Sequence, residues 1–517
     1  TIVNRTIVIK PGREAVDATE ISAAIPPVEI TGRVVDSKGL PIEGVSVQLK
    51  GSSIGTTTDA DGRYSLSLTG TGTLVFSYVG FATQEVSFNN QATINIVLRY
   101  SDDTLGGVVV TALGIKKESK RLGYAAASVN TDDLTTNRTT NVGNSLQGKV
   151  SGVNVSAPAS GPGGSSKIRI RGQSSFGGDN SPLIVVNGIP INNNAVSAGY
   201  QNPANPTGGS SDGGDGLQSI NQDDIESMTV LKGAAASALY GFRAKDGAII
   251  ITTKSGSKKT GIGIDYNVNY QVSNALDFTD FQYEYGQGEN GVRPTTVAEA
   301  QSSGIWSFGE KFDGQPTPQF DGSTQPYLPH RNRVRDFYRT GTELTNSLAL
   351  SGGSEKGNFR LSFANTGANG IVPNSDYHKK IINLGLNYKF TPKFSAQLNA
   401  NYSNEFNHTP PQIGIEGFSV NTTIFTMANS IDVEWLKHSK DGNGNEMPLA
   451  RFTGRNNPYW VAYEHFENIH RDRLFGNASL KYQFTNWLYV QGRIGQDYYT
   501  RPYEFNRPTG SRNLGAA

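Results

Sequence analysis

Residues 225–254, IESMTVLKGAAASALYGFRAKDGAIIITTK, set two β-type runs on either side of a small-residue segment that contains Gly233, Gly241 and Gly247. Such glycines could cradle a phosphate. A phosphate loop, however, needs G-x-x-x-x-G-K-[ST], so that amides and a lysine converge on one anion. Here Phe242 and Arg243 follow Gly241, and the stretch from Ala234 to Leu239 is under two helical turns, too short for the crossover of a dinucleotide-binding fold. The glycines are expected instead to turn a strand tightly into a short helix lying on a sheet, with the alanines permitting close approach.

Other reactive residues are scattered. The six histidines (His330, His378, His408, His438, His465 and His470) form no H-E-x-x-H pair, and the chain has no cysteine. It therefore has no disulfide, thiolate zinc site or thiol nucleophile. Asp223, Asp224 and Glu226 in NQDDIESM read as a cap or turn rather than an acid/base pair. In TDADGRYSL the acidic spacing does not fit a calcium loop, and a hairpin turn is expected. DGNGNEM (441–447) alternates ligand-like residues, but Glu446 stands where such a loop requires glycine. No enzyme activity and no cofactor are expected, loop calcium being the one metal reading left open. NNPYWVAYEHF could stack on sugar rings or simply pack at the rim of a fold.

These residues sit on a β-rich chain. Sixty glycines against three methionines in 517 residues point to strands and turns, with room for several domains. A formal net charge of +1 carries no general nucleic-acid footprint. No apolar run approaches the ~20 residues of a membrane helix. A transmembrane β-barrel stays open, because its alternating strands never look strongly hydrophobic on average. The opening TIVNRTIVIKPG reads as a strand and lacks the basic-then-apolar profile of a signal peptide.

Residues 29–100 carry apolar side chains at every second position, as in Val45, Val47 and Leu49, then Tyr64, Leu66 and Leu68, then Leu74, Phe76 and Tyr78. That period predicts half-buried strands in a two-layer sandwich. SDDTLGGVVVTALGIKKESKR follows, an extended segment that either packs on a neighbouring domain or pairs with a partner's sheet edge. A mixed domain spans 117–256, with strands in SKIRIRGQSS and SPLIVVNGIPI. From 261 the texture changes to alternating runs of about ten residues ending in aromatics, such as NFRLSFANT, INLGLNYKF, FSAQLNANY and LYVQGRIGQDYY. Short connectors (SGGSEKG, FTPKF) alternate with long ones at 275–343 and 403–472. Short turns on one side, long loops on the other and aromatic strand ends favour a membrane barrel over a soluble sandwich.

The stretch 225–254 closely resembles the end of the plug domain in SusC/RagA-type TonB-dependent outer-membrane transporters, and KIRIRGQSSFGGDNSPLIVVNGIPI (167–191) is similar to the family's other plug signature. ITGRVVDSKGLPIEGVSVQLKGSSIGTTTDADGRYSL looks like the carboxypeptidase-regulatory-like domain of these proteins. TLGGVVVTALG is similar to the TonB box, and residues 1–12 resemble the tail of a short secretin/TonB N-terminal domain. The resemblance implies a mainly β chain: the tail at 1–12, a small β-sandwich at 29–100, a TonB-box segment at 103–114, an α+β plug at 117–256 and an incomplete antiparallel transmembrane β-barrel at 261–517. A barrel of this class has about 22 strands, so the chain is expected to be an N-terminal portion of a longer protein.

The resemblance also implies function. TonB would be engaged by Leu105, Gly106, Gly107, Val108, Val109, Val110, Thr111 and Ala112. The plug motif and its contacts to the barrel wall would involve Arg169, Arg171, Gly172, Asn187, Gly188, Lys232, Gly233, Tyr240, Gly241, Arg243 and Gly247. The expected setting is the cell outer membrane, with the plug and N-terminal domains on the periplasmic side. The expected partners are TonB, a SusD-like surface lipoprotein, outer-membrane lipid and an oligosaccharide or peptide cargo, and no nucleic acid. A second reading, an extracellular adhesin or scaffold of stacked β-domains without transport, predicts that 261–517 fold in water.

Overall fold

The computed structural model describes residues 28–99 and 126–512, apart from 38, 53, 79–80, 90, 157–159, 176–179, 195–196, 199–210, 257–260, 413–417 and 453, together with the backbone of short strands at Ile2–Val3, Thr6–Ile7, Val108–Val110, Lys116–Glu118 and Ser197–Ala198. Two compact units divide the chain, 1–107 and 108–517. In the first, Ile2–Val3 pairs antiparallel with Thr6–Ile7. The period-two segments then build two sheets. One holds Val28–Val35, Arg63–Leu68 and Ile96–Val97; the other holds Gly55–Thr57, Ser46–Leu49, Thr71–Ser77 and Gln84–Asn89. Their facing residues, including Val34, Val45, Val47, Leu66, Leu74, Phe76 and Leu98, form one core. Tyr78 departs from the alternation. Its strand stops at Ser77, and the ring lies exposed against Phe81 at 5.9 Å.

The TDADG turn is tight, as expected, with the Asp59 carboxylate accepting from the amides of Asp61 at 3.0 Å and Arg63 at 2.8 Å. It is nevertheless a corner rather than a hairpin, because Gly55–Thr57 and Arg63–Leu68 belong to different sheets.

In the second unit the plug is a mixed five-stranded sheet of β1 (Ala126–Asn130), β2 (Leu183–Val186), β3 (Ile189–Ile191), β4 (Ile225–Leu231) and β5 (Ala248–Thr253), in the order β1-β4-β5-β2-β3. Only β2 and β5 run parallel. Because β4 and β5 are antiparallel neighbours, the segment between them is not a nucleotide-fold crossover. It is the tight strand-to-helix turn expected: Gly233, at φ 58°, precedes α2 (Ala234–Tyr240), and α1 (Thr131–Thr135) follows β1. The polar segment after 138 forms a 3-10 turn at Val142–Leu146, then an antiparallel pair of Val153–Ser156 with Lys167–Ile170.

The remainder is a meander of seven long strands: β6 (Gly261–Ser273), β7 (Gly341–Ser354), β8 (Gly357–Asn369), β9 (Asp376–Lys389), β10 (Phe394–His408), β11 (Phe466–Gln483) and β12 (Tyr489–Thr500), each antiparallel to the next. A short strand at Tyr503–Asn506 pairs back onto the start of β11. The strands run 12 to 18 residues, longer than the ten read from the pattern. Polar residues at their ends, such as Asn404 to His408 and Glu467 to Arg473, continue the ladder where the apolar signal has faded. The long connectors shrink accordingly to 274–340 and 409–465, and that side also carries one short connection, 370–375. These segments pack on one another around Phe320, Phe337, Val372, Phe418, Ile424, Ile431 and Leu436.

Candidate functional site

The seven-stranded wall is inverted relative to a soluble sheet. On β8, Arg360 is 5% exposed while its neighbour Leu361 is 42% exposed. Phe359, Phe363, Ile382, Leu386, Leu398, Leu474 and Leu480 lie on the outer face, and Ser347, Ser362, Thr366, Lys379, Asn383, Asn399, Asn401, Ser403, Glu405, Arg471 and Asn477 are buried on the other. Apolar residues outward and polar residues inward match lipid on one side and a polar lumen on the other. Aromatic rings collect at the short-turn end: Tyr388 on Phe390 at 5.0 Å, Phe390 on Phe394 at 5.1 Å and Tyr482 on Phe484 at 4.9 Å.

The plug sits against the polar face. Asn221 caps the 3-10 turn Gln222–Asp224, which delivers Asp224 to the wall. There the Arg360 guanidinium donates to Oδ1 of Asp224 at 3.3 Å and to Asp265 at 2.9 Å, and the Ser362 hydroxyl donates to Oδ2 of Asp224. Burial pushes the Asp224 carboxyl above its ordinary range, against the pull of Ser362 and Arg360. Asn221 donates to Ser347 at 3.0 Å. Higher on the wall, Glu405 accepts from the Ser219 hydroxyl at 2.8 Å, from Tyr377 at 3.0 Å and from Arg471, whose other contact is Gln218 at 3.1 Å. Lys379 donates to the carbonyls of Thr140 at 2.8 Å and Gln218 at 3.2 Å. Arg473 and Asp497 hold the backbone of Asn192 from both sides, each at 2.8 Å. Among the wall residues, only Phe475 joins the plug's apolar core. A seam made of hydrogen bonds and ion pairs can exchange partners with water as it parts, whereas an apolar seam would expose its area to solvent.

The site residues expected from sequence divide. Val108–Val110 form a strand, paired antiparallel with this chain's own Lys116–Glu118, while Leu105, Gly106, Gly107, Thr111 and Ala112 lie outside the described residues. Asn187 and Gly188, at φ 49° and 84°, make the two-residue turn between β2 and β3, and the Asn187 carbonyl accepts from Asn477 of the wall at 3.3 Å. Gly172, Gly233, Gly241 and Gly247 all have positive φ, and at Gly247 the Ile170 side chain leaves no room for a Cβ. Tyr240 packs on the small core beneath α2.

The expected wall cations make no polar contact with the seven strands among the described residues. Lys232 turns back to Ser151 of the plug at 3.3 Å, and among the described residues no hydrogen bond or ion pair joins Arg169, Arg171 or Arg243 to β6–β12. The plug meets these strands instead through Asp224 and Asn187 at one end of its sheet and through Asn192 just after the edge strand β3. Sequence reasoning missed Arg360, Lys379, Glu405 and Arg471. Their signal was a long charged residue at an inward position of an alternating strand.

The acid-rich stretches are occupied locally. Asp223 accepts from Arg138 at 2.8 Å, which fits a turn and not an acid/base pair. Asp441 accepts from the amides of Asn443 at 2.9 Å and Asn445 at 2.8 Å, and Glu446 from the amides of Asn457 at 2.7 Å and Arg512 at 2.8 Å. Among the described residues no group of three or more His, Asp or Glu is placed to hold a metal ion. In NNPYWVAYEHF, Trp460 and Tyr459 are buried in the loop core and Tyr463 is exposed.

The family profile described as TonB-dependent Receptor Plug Domain matches residues 119–248, and that of the CarboxypepD_reg-like domain matches 30–110. TonB-dependent receptor SusC of Bacteroides thetaiotaomicron is 30% identical over 463 residues, which cover 89% of this chain and 40% of the relative. The chain belongs to the SusC/RagA-type TonB-dependent receptors. TonB-dependent receptor P39 of Formosa agariphila is 32% identical over 372 residues, 71% of this chain and 32% of that protein. The chain thus spans well under half the length of these curated relatives. Among solved structures, the RagAB peptide importer in its open-open state shares the fold at a TM-score of 0.55 and 18% identity, over 77% of this chain and 43% of that one. In SusC/RagA terms, β1–β5 with their helices are the plug, and β6–β12 are a stretch of barrel wall holding it.

Proposed function

We propose that this chain, as part of its full-length protein, carries out TonB-dependent import of a nutrient across the bacterial outer membrane. The observation that carries this reading is the polar seam: a folded plug held on the lumen face of an inside-out sheet by contacts that can open and re-form. The segment 105–112 pairs in the periplasm with TonB as an added strand. Force from the inner-membrane gradient then shifts the plug and opens a path. Binding alone cannot drive uphill transport, so the mechanical link is the indispensable part. The chain enters the wall at Gly261, which pairs with Gly353 beside the short turns. Short turns face the periplasm in such barrels, and entry of the chain at that end supports a periplasmic setting for the segments that precede the wall.

The cargo is an oligosaccharide or a peptide, received under a SusD-like lipoprotein; the family membership and the peptide importer among the structural neighbours support this range. No cofactor and no covalent chemistry are assigned to the chain. The test is deletion of residues 105–112 in the full-length protein with uptake of labelled oligosaccharides and peptides measured. Uptake should be abolished while the protein stays in the outer membrane; unchanged uptake would sink the coupling.

A further inference from the structure

Between the TonB-binding segment and the body of the plug, residues 126–137 have no hydrogen bond or ion pair to the wall among the described residues. β1 is an edge strand, paired only with β4 from Ala126↔Leu231 to Asn130↔Ser227. The turn into α1 is tied by the Thr131 hydroxyl to the Ile225 carbonyl at 2.6 Å, and the Leu134 carbonyl accepts from Gln222 at 2.6 Å. Among the described residues every such tie from 126–137 ends within the plug.

The pattern reverses at the next three residues. The Arg138 guanidinium grips Asp223 at 2.8 Å, and Asn267 of β6 donates to the same carboxylate oxygen at 3.1 Å. Gln271 of β6 donates to the Arg138 carbonyl. The Thr139 amide donates to Gln222 at 3.1 Å. The Thr140 hydroxyl donates to Glu343 of β7, and its carbonyl accepts from Lys379 of β9 at 2.8 Å. Three wall strands therefore converge on Arg138–Thr140, two of the ties being charge-assisted and hence stronger than neutral ones.

We infer that Arg138–Thr140 is a mechanical stop. A pull on the chain upstream strips β1 and α1 from the plug and halts at this clamp, leaving residues from 141 onward seated on the wall. The inference rests on the proposed TonB coupling for its biological use, but the stop is a property of the fold and can be tested without TonB. The path opened by the pull is then limited to what 126–137 vacates.

This chain has no cysteine, so a single handle placed in it is unique once any cysteine in the rest of the full-length protein is replaced. In the full-length protein in a bilayer, a tether attached through Gly123→Cys is pulled from the periplasmic side. The first extension event should lengthen the tether by no more than about 40 Å, the full reach of roughly 12 extended residues before the distance they already span is subtracted, and the next should need a clearly higher force. Combining Glu343→Gln with Lys379→Met should make the first event longer, whereas Lys379→Arg should keep it short. A role in general stability would lower all the forces without moving this boundary. Should the double variant fail to assemble, Gln271→Leu with Thr140→Val loosens the same clamp by losing neutral donors. A first event already running past residue 140 in the intact protein, or one whose length ignores these substitutions, overturns the stop. In cells, maleimide should label buried Leu134→Cys but not buried Leu146→Cys while TonB is energised. A short first event without such labelling keeps the stop and counts against the TonB coupling alone.

Discussion

At the scale of single residues, the seam poses a problem of buried charge. Arg360 and Asp224 have side chains 6% and 3% exposed, so neither can be screened by water when the other is lost. Arg360→Ala leaves Asp224 buried with only Ser362 and Asn221 as donors, and it should cost about 3–5 kcal/mol. Changing both residues to apolar ones of similar volume should cost far less, and thermal unfolding of the purified full-length protein measures the difference. A second carboxyl adds a pH dependence. Asp215 is buried within the plug and pushed up to about 6 by that burial, although the Ser166 amide, the Asn141 side chain and the Arg471 charge oppose the shift; the Asp212 charge adds to it. Its folded value lies above its unfolded one, so between pH 4 and 6 the folded state holds more protons. Plug stability should therefore fall as pH rises from about 4 to 6, and Asp215→Asn should flatten that slope in a pH series of melting curves.

At the scale of elements, the legible features were those with a local cause. Period-two alternation marked the wall strands read from it, such as β8, β9, β10 and β12, because each side chain's environment is decided by the face it sits on. The tight turn at Gly233 was legible because an L side chain is strained there. The Asn187–Gly188 pair is similar: two adjacent residues at positive φ form the hairpin turn that asparagine–glycine favours. Gly188→Ala should cost about 1–2 kcal/mol, the penalty of left-handed backbone, whereas Asn187→Asp, which keeps the side-chain acceptor for the Thr253 amide, should be nearly neutral. Denaturant titration of the two variants separates these outcomes. Illegible were contacts set by register across long separations. Nothing near Asp224 in sequence announces Arg360, which reaches it only because β8 pairs with its neighbours in one frame and places that inward position under the 3-10 turn. The four charged wall residues were missed for this reason.

At the scale of the whole molecule, the outward face of the wall decides between a receptor and a water-soluble scaffold. Leu361, Phe363, Ile382, Leu474, Leu480 and Ile494 are all exposed on strands whose opposite face is polar, an arrangement that only lipid or detergent can cover. Depth is marked by the aromatic end: Trp487, 80% exposed, lies in the turn between β11 and β12, beside Tyr482, Phe484 and Tyr489. An indole prefers the membrane interface, where its ring is partly buried and its N–H stays near water. In bilayers of the full-length protein, lipids brominated near the headgroup should therefore quench the fluorescence lost in Trp487→Phe more strongly than lipids brominated near the chain end. A soluble scaffold would show no dependence on bromine depth, and its Trp487 would be quenched by aqueous iodide instead. The two quenchers thus read opposite faces of the same question, because the side of the sheet that carries Leu361 cannot be both wet and stable.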